Sequence, residues 1–402
     1  MTEGFEVDTA EIAGLGRLAD RIGQGTMASH PYILEHAGLS DTLPGQILQR
    51  LTPFVAEYQE YTRSRHVHLA ATCVYIGNEL QEAAWLYDDQ ENENYDALNA
   101  HTNLLPPPLR RPGTSETPAV GVIDEYFDVA NYGNPDGIDY PAPNPAVDDI
   151  RQTIDDAASW LGEIDRTIFE LSGWSPLNEA TIPVTGNWNE IRRLGQAYEI
   201  AGNAMEAAAM SLERGARRVD DSWDGAAAQS FSLYAGRQVA AMHWEGPAGR
   251  TIHALTGVIA DQIRSAVQSI VGKIVEMLEA EVDIGSGRSA MKVALKKIPA
   301  LGTAWQIERI IEICWQAMNL TMNLVAKIET VVDDLGRFLA AITDPEGQIN
   351  QTIDKHLTPL TDFLEHGKVA VEAGKTADIS PLINTPNERF SVGEGTQPWA
   401  DA

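Results

Sequence analysis

Residues 188–242 decide the fold of this chain; they read WNEIRRLGQAYEIAGNAMEAAAMSLERGARRVDDSWDGAAAQSFSLYAGRQVAAM. Over residues 188–219, apolar side chains recur every three or four positions, which is the period of one face of an amphipathic helix. They are Ile191, Leu194, Tyr198, Ala201, Met205, Ala208 and Leu212. Residues 221–225 break the pattern, and it resumes over residues 226–242. This stretch therefore predicts two long helices joined by a tight turn.

The turn between these helices has residues that suit a reversal of the chain. Gly225 has no Cβ and permits the backbone conformations that a tight helix-to-helix turn requires. Asp221 or Ser222 is a candidate cap for the second helix, because a side-chain oxygen there can accept a bond from a free N–H group. Trp223 supplies a large flat ring for covering the open end of a bundle. Two other Trp-x-Gly triplets occur in the chain, but only this one separates two long striped helices.

Another long helix is predicted nearer the N-terminus, from Thr52-Pro53 to about Ala100. It carries one apolar stripe at helical spacing, made of Leu69, Cys73, Ile76, Leu80, Ala84 and Tyr87. Tyr87-Asp-Asp-Gln-Glu91 ends the stripe. Tyr87 and Glu91 are four residues apart, so a helix places them on the same face. Taken alone, this spacing is typical of an ordinary helix end, where the tyrosine packs and the glutamate is solvated.

Shorter patterns complete the N-terminal half. Asp8-Thr-Ala-Glu11 has the spacing of a capping box and predicts the start of a first helix. Residues 23–42 contain histidines and glycines and indicate a looser segment. Residues 104–147 contain nine prolines, a composition typical of an extended, semi-rigid connector. We expect a short helix at Val122–Val129 within this connector.

The C-terminal half predicts further helices. Gly246-Pro247 predicts a second interruption, and apolar helical patterns follow at Ile252–Val282 and Leu301–Ile342. Shorter helices are expected at Ile150–Leu171 and Ile349–Leu364. The fold class is therefore all-α: an elongated helical bundle with long antiparallel helices and a C-terminal helical region.

Five parts are expected along the chain. They are a helical segment at 1–103, the proline-rich connector at 104–147, a helix–turn–helix at 148–245 that packs on the first segment, a C-terminal helical region at 246–373 and a disordered tail at 374–402.

The charge of the chain argues against polyanionic partners. The sequence has 29 basic and 58 acidic residues, a net charge of −29, and no lysine precedes Lys273. Residues 1–150 contain 24 Asp or Glu and 7 Arg. A nucleic-acid interface needs clustered cations that neutralise phosphates, and adsorption to an anionic membrane needs them too. We therefore expect no nucleic-acid partner.

The sequence offers no recognisable catalytic chemistry. It has no Gly-x-Ser-x-Gly elbow, no P-loop and no dinucleotide fingerprint. His66-Val-His68 has a spacing that points the two rings apart on a helix, so a metal site is not expected. Cys73 and Cys314 lie among apolar residues and are expected to be buried free thiols. These patterns predict a protein that is not an enzyme and that uses no cofactor and no metal.

Targeting segments of the usual kinds are also not expected. The N-terminus lacks the basic and apolar regions of a cleavable signal peptide. No window of about 18 uncharged apolar residues predicts a membrane span.

The order of Tyr-x-x-x-acid followed by Trp-x-Gly resembles the WXG superfamily of type VII (ESX) secretion substrates in Gram-positive bacteria, especially actinobacteria. The segment from Val7 to Leu98 resembles the EspC-like secretion-associated domain. The whole order is similar to that of EspB-type, PE/PPE-like substrates. The resemblance covers about residues 7–245, and its motifs are short. Asp88 and Asp89 add carboxylates beside the usual acid, which is a departure from the simplest form of the motif.

In that family, a tyrosine and an acid at a helix end lie beside a Trp-x-Gly turn, and together they form an export signal for the motor ATPase of the secretion machinery. The resemblance implies that Tyr87 and Glu91 are the export residues here, and that Trp223 and Gly225 form the supporting turn. It also implies a secreted or cell-surface protein that leaves without a cleavable signal peptide. A homo-oligomer or a small WXG partner is left open.

Two other functions fit the same sequence. One is a cytoplasmic helical adaptor that binds WXG-like partners. The other is a membrane-active effector that acts through its C-terminal apolar helices. Carboxylates on those helices, such as Glu308 and Asp333, oppose insertion at neutral pH because burying a charge in lipid is costly.

Overall fold

The computed structural model describes residues 7–39, 46–102, 125–144, 188–281, 304–344 and 367–390, together with residues 166, 169, 170 and 175. Over these residues the chain is all-α, so the predicted fold class is confirmed. Its helices are, in order, α1 (Thr9–Thr26), α2 (Ser29–His36), α3 (Gln46–Gln49), α4 (Thr52–Thr102), α5 (Trp188–Asp220), α6 (Ala226–Glu281), α7 (Ala304–Thr343), α8 (Gly367–Ala377) and α9 (Ser380–Ile383). Among the described helices, none combines the length and apolar character needed to cross a membrane.

The helix pair α5–α6, joined by the Trp223 turn, makes the most extensive contact in the described structure. Gly195 lies against His253, and Gly202 lies against Glu245. Residues that come later in α5 contact residues that come earlier in α6, so the two helices are antiparallel. The predicted stripe on α5 faces inward, since all seven of its members are buried.

Helix α1 packs on α4 in the same antiparallel sense, with Gly16 against Gly77 and Gly23 against Ala70. A Cβ atom at Gly77 would lie 2.8 Å from the carbonyl oxygen of Gly16, so only glycine permits this close approach. The close contact lets α1 cover the middle of the stripe on α4, whose aliphatic members are fully buried.

Buried side chains of the described residues form two clusters. The turn core surrounds the α5–α6 turn and includes Ile12, Leu15, Ile22, Cys73, Leu80, Trp85, Met205, Leu212, Trp223, Phe231, Met242 and Phe390. The distal core lies at the other end of α5 and includes Tyr58, Trp188, Tyr198, Trp244, Ile259, Ile263, Val331, Phe338 and Leu382. Both cores draw on α4, α5 and α6, so the long helices connect them.

A buried ion pair lies between the two cores. Arg65 Nε donates to Glu245 at 2.5 Å, and His66 Nε2 lies 3.2 Å from the other carboxylate oxygen. Glu245 is 3% exposed. Burial is the largest influence on the pKa of Glu245 and raises it, but the Arg65 charge and the bonds from His66 and Arg65 together hold that pKa below its ordinary value. The position is therefore an ionised polar layer that joins α4 to α6.

The predicted interruption at Gly246-Pro247 is wrong, because α6 is continuous from Ala226 to Glu281 with Pro247 inside it. An internal proline costs about 3 kcal/mol through its missing N–H group and its ring. Trp244, Ala248 and Ile252 are buried on either side of it. The packing of these buried side chains therefore stabilises the helix by more than the proline destabilises it. Helix α6 also runs through the expected boundary at 245/246, and the division into five parts stays a prediction.

Three predictions about irregular segments are corrected. The described part of the 23–42 segment, residues 23–39, includes the end of α1 and the whole of α2, so it is more regular than expected. The expected helix at Val122–Val129 is not formed over residues 125–129. The expected disordered tail is wrong for residues 374–390, where α8 ends, α9 forms and Phe390 is buried.

Some predictions concern positions outside the described residues. They are most of the helix at Ile150–Leu171, the helix at Ile349–Leu364, the side chain of Cys314 and the tail beyond residue 390.

Candidate functional site at the helical turn

The turn between α5 and α6 is built around a glycine with a positive φ. Gly225 has φ +104°, a conformation that residues with a Cβ rarely adopt. Its carbonyl accepts the N–H of Gln229 at 3.1 Å, which closes the first turn of α6. The predicted cap is wrong for Ser222, whose hydroxyl donates to Val219 O at 3.2 Å and so closes α5 instead. Gly225 rather than Asp221 or Ser222 directly precedes α6.

Trp223 and Tyr87 are in contact, although 136 residues separate them in the sequence. The indole N–H of Trp223 donates to the Tyr87 hydroxyl at 3.1 Å. The two rings meet edge to face, with centroids 6.4 Å apart and planes at 86°. Trp223 is 2% exposed, and Tyr87 is partly buried. The structure thus brings the two predicted signals together at one end of the bundle.

The N-terminus of the described chain also reaches this turn. Val7 pairs with Trp223 in an isolated antiparallel bridge, and Asp8 N–H donates to Ser222 O at 2.9 Å. The Asp8 carboxylate accepts from the N–H groups of Ala10 and Glu11, so the predicted cap of α1 is confirmed. These bonds tie the start of α1 to the backbone of the turn.

The reciprocal half of the predicted capping box has a different partner. Glu11 accepts from Arg218 of α5 at 2.7 Å instead of reaching back to Asp8. Arg218 also stacks over Tyr132 at 4.1 Å and donates to Asn131 O at 2.8 Å. One guanidinium therefore joins α1, α5 and the segment 125–144.

That segment, part of the predicted connector, packs beside Tyr87. Tyr126 is buried against Trp85, with ring centroids 4.9 Å apart. Its N–H donates to the Gln81 side chain at 2.9 Å, and its hydroxyl lies 2.9 Å from Thr9 Oγ1. The N–H of Tyr126 and the N–H of Ala130, which donates to Ala10 O at 2.9 Å, thus find partners outside the segment, so these two groups need no local helix.

Glu91 lies one helical turn beyond Tyr87 and is exposed. Burial raises the pKa of the neighbouring Asp88; a bond from Tyr126 opposes this rise, and the charges of Asp89 and Glu91 add to it. Burial also raises the pKa of Tyr87, against the bond from Trp223. The site therefore consists of a largely buried aromatic pair beside a partly exposed acidic stretch of α4, residues 88–91.

The sequence pointed to Tyr87, Glu91, Trp223 and Gly225. The structure brings Tyr87 to the turn that contains Trp223 and Gly225, while Glu91 faces solvent. The sequence did not point to the residues that support Trp223. Val7 forms the bridge described above, and Phe231 packs against the indole at 5.5 Å. Phe231 lies on the apolar face of the second helix, so its burial is readable from the pattern. Val7 precedes the first described helix and has no such signal.

Three reactive groups singled out by the sequence, Cys73, His66 and His68, are each buried or hydrogen-bonded. Burial raises the pKa of the Cys73 thiol to about 12, against a bond from Gln238. His68 donates to Pro386 O at 2.7 Å, whereas His66 bonds to Glu245, so the two rings serve separate partners. Over the described ranges, no group of three or more His, Cys, Asp or Glu side chains is arranged to hold a metal ion.

Comparisons with known proteins add no relative: no family model, no curated protein and no solved structure matches this chain. Function is therefore inferred from the residues of the site.

Proposed function

We propose that this protein is a non-enzymatic substrate of a type VII (ESX) secretion system and that Tyr87, Glu91, Trp223 and Gly225 are its export signal. The observation that supports the proposal is the hydrogen bond from Trp223 to the Tyr87 hydroxyl. It joins the two motifs that carry the resemblance to the WXG superfamily. On this proposal the protein acts outside the cytoplasm, and its first partner is the motor ATPase of the secretion system.

A signal made from two distant motifs exists only in the folded chain. Tyr87 lies on α4 and Trp223 lies in the α5–α6 turn, so an unfolded chain has neither their contact nor the surface around it. The proposal therefore implies recognition of a folded bundle end rather than of a linear peptide.

The four residues have different roles in this proposal. Trp223 is buried, and Gly225 sets the turn, so both act as support. Glu91 is exposed and offers a carboxylate that a cationic surface of the ATPase can bind. Tyr87 contacts Trp223 and lies one helical turn before Glu91, so it links the supporting residues to the surface that the ATPase binds.

The test is an export assay that compares culture filtrate with cell lysate, in a host with a type VII system and in the same host without it. Glu91→Gln keeps the size of the side chain and removes its charge. We expect secreted protein to fall at least about tenfold, since losing one partner of an interfacial charge pair costs about 2–5 kcal/mol. Glu93→Gln is the matched control, because Glu93 is also exposed on α4. It should be exported like the wild type.

Two results would contradict the proposal. Equal export of the Glu91→Gln variant would remove Glu91 from the signal. Retention of the wild type in the lysate of the competent host, with a WXG-like protein co-purifying, would favour the cytoplasmic adaptor instead.

A further inference from the structure

The C-terminal strap, residues 384–390, lies across α4 and α6. On the α4 side, Arg65 Nη1 donates to Thr385 Oγ1 at 2.9 Å. His68 Nε2 donates to Pro386 O at 2.7 Å. Because Arg65 also binds the buried Glu245, the start of the strap is attached to the polar layer between the two cores.

The second half of the strap is held mainly by α6. Tyr234 donates its hydroxyl proton to Glu388 O at 2.7 Å, and Arg237 pairs with the Glu388 carboxylate at 2.5 Å. Arg389 turns the other way and stacks over Tyr75 of α4 at 4.3 Å. These contacts fix the direction of the strap and therefore the position of its last described residue.

That residue is Phe390, which is 4% exposed in the turn core. Its ring meets Phe231 edge to face at 5.5 Å. Phe231 packs on Trp223 at 5.5 Å, and Trp223 in turn meets Tyr87. A continuous line of four aromatic rings therefore runs from the C-terminal strap to the start of the acidic stretch of α4.

We infer that Phe390 is a positioning residue for the Trp223–Tyr87 pair. Trp223 lies in a turn, so no regular helix holds its backbone, and the orientation of its indole depends on packing around the ring. Phe231 supplies one side of that packing, and Phe390 closes the space behind Phe231. Removing Phe390 leaves a cavity, and partly relaxed neighbours then gain freedom. The indole N–H consequently loses its fixed direction toward the Tyr87 hydroxyl.

The meaning of this contact for export rests on the proposed function, but the contact itself is tested without it. The measurement is hydrogen exchange at indole N–H groups in the purified full-length protein, followed by NMR. The Trp223 signal is assigned by its loss in Trp223→Phe. The Trp244 indole, which donates to Thr376 O at 3.3 Å in the distal core, is the internal reference for global opening.

In Phe390→Ala, we expect exchange at the Trp223 indole to be about tenfold faster, while exchange at Trp244 changes less than about twofold. Arg389→Ala is the matched control, because it removes the neighbouring strap contact with Tyr75 and leaves the aromatic line intact. It should leave both indole rates within about twofold of the wild type. Phe390→Leu keeps most of the volume and should restore slow exchange at Trp223.

An unchanged Trp223 rate in Phe390→Ala, or equal acceleration at Trp223 and Trp244, would overturn the inference. If the alanine variant does not fold, Arg389→Ala decides: Trp223 exchange more than about twofold faster than in the wild type, with the aromatic line intact, would remove the special role of the ring. Export of Phe390→Ala is measured in parallel. Faster Trp223 exchange with normal export would keep the positioning role and count against the proposed function.

Discussion

The turn core and the distal core are built from the same three long helices, but they differ in what completes them. The distal core is filled mainly by helical side chains, such as Ile259, Ile263 and Val331. The turn core also takes residues from non-helical backbone: Val7 in the bridge, Tyr126 in the irregular segment and Phe390 in the strap.

This difference has a physical consequence for the proposed signal. A helical face keeps its order through its own backbone bonds, whereas the turn core depends on separate segments that each dock through contacts with distant parts of the chain. We therefore expect local opening to be easier at the end of the bundle that carries Tyr87 and Trp223. Such opening would change the signal without unfolding the protein.

The largest expected effect comes from breaking the polar layer that the two cores share. Glu245→Ala leaves Arg65 buried without its carboxylate, and we expect a loss of about 4 kcal/mol in the free energy of unfolding. Urea denaturation followed by circular dichroism measures it. Glu276→Ala on the same helix is the control, because the exposed pair with Lys273 contributes about 0.5 kcal/mol or less.

A double variant sharpens this prediction. Arg65→Met combined with Glu245→Leu removes both charges, so no unpaired ion remains. We expect most of the lost stability to return, since apolar replacements of buried ion pairs are often neutral or stabilising. A loss below about 1 kcal/mol in Glu245→Ala would show that water or movement compensates the remaining charge.

A matched pair of phenylalanines compares the cores directly. Phe231 is 2% exposed in the turn core, and Phe338 is 0% exposed in the distal core. Replacing either with alanine should cost about 3 kcal/mol in urea denaturation. Only Phe231→Ala should shift the NMR signal of the Trp223 indole. An equal shift in Phe338→Ala would mean that the two cores respond as one unit.

The helices and the contents of both cores were largely predictable, whereas the contacts that complete the turn core were not. The stripes on α4 and α5 have helical periods, and their aliphatic members are buried as expected. The burial of Phe390 has no periodic signal, because a single phenylalanine lies among polar residues. The bond from Ala130 N–H to Ala10 O likewise joins positions with no local pattern. Order in these segments comes from long-range docking, which local sequence does not encode.

The same physical reason explains the error at Pro247. Local propensity predicts a break there, and only the packing of buried neighbours across α5 reverses it. For the site, the contact between Tyr87 and Trp223 was expected from the order of two motifs and their resemblance to a family, not from either motif alone.

The smallest expected effect is a pH dependence that has opposite signs at two carboxyl groups. The pKa of Glu245 is lowered in the folded protein, so its contribution to stability is present above the unfolded pKa and is lost as the pH falls through the folded one. The pKa of Asp88 is raised, first of all by burial. Folding therefore disfavours the ionised form of Asp88. The resulting loss of folding stability is complete above the folded-state pKa, and it disappears as the pH falls below the unfolded-state pKa.

Asp88→Asn tests the sign at the turn core. The variant removes a carboxylate whose ionisation folding opposes, so at pH 7 we expect it to be more stable than the wild type by a few tenths of a kcal/mol, a small value because the group is partly solvated. The advantage should shrink toward pH 4, where the wild-type carboxyl becomes protonated. Urea midpoints between pH 4 and 7 measure this change. Asp221→Asn, at an exposed position in the turn, is the control variant. An Asp88→Asn advantage that grows on acidification would reverse the sign and mean that the folded protein stabilises the ionised form in this acidic stretch of α4.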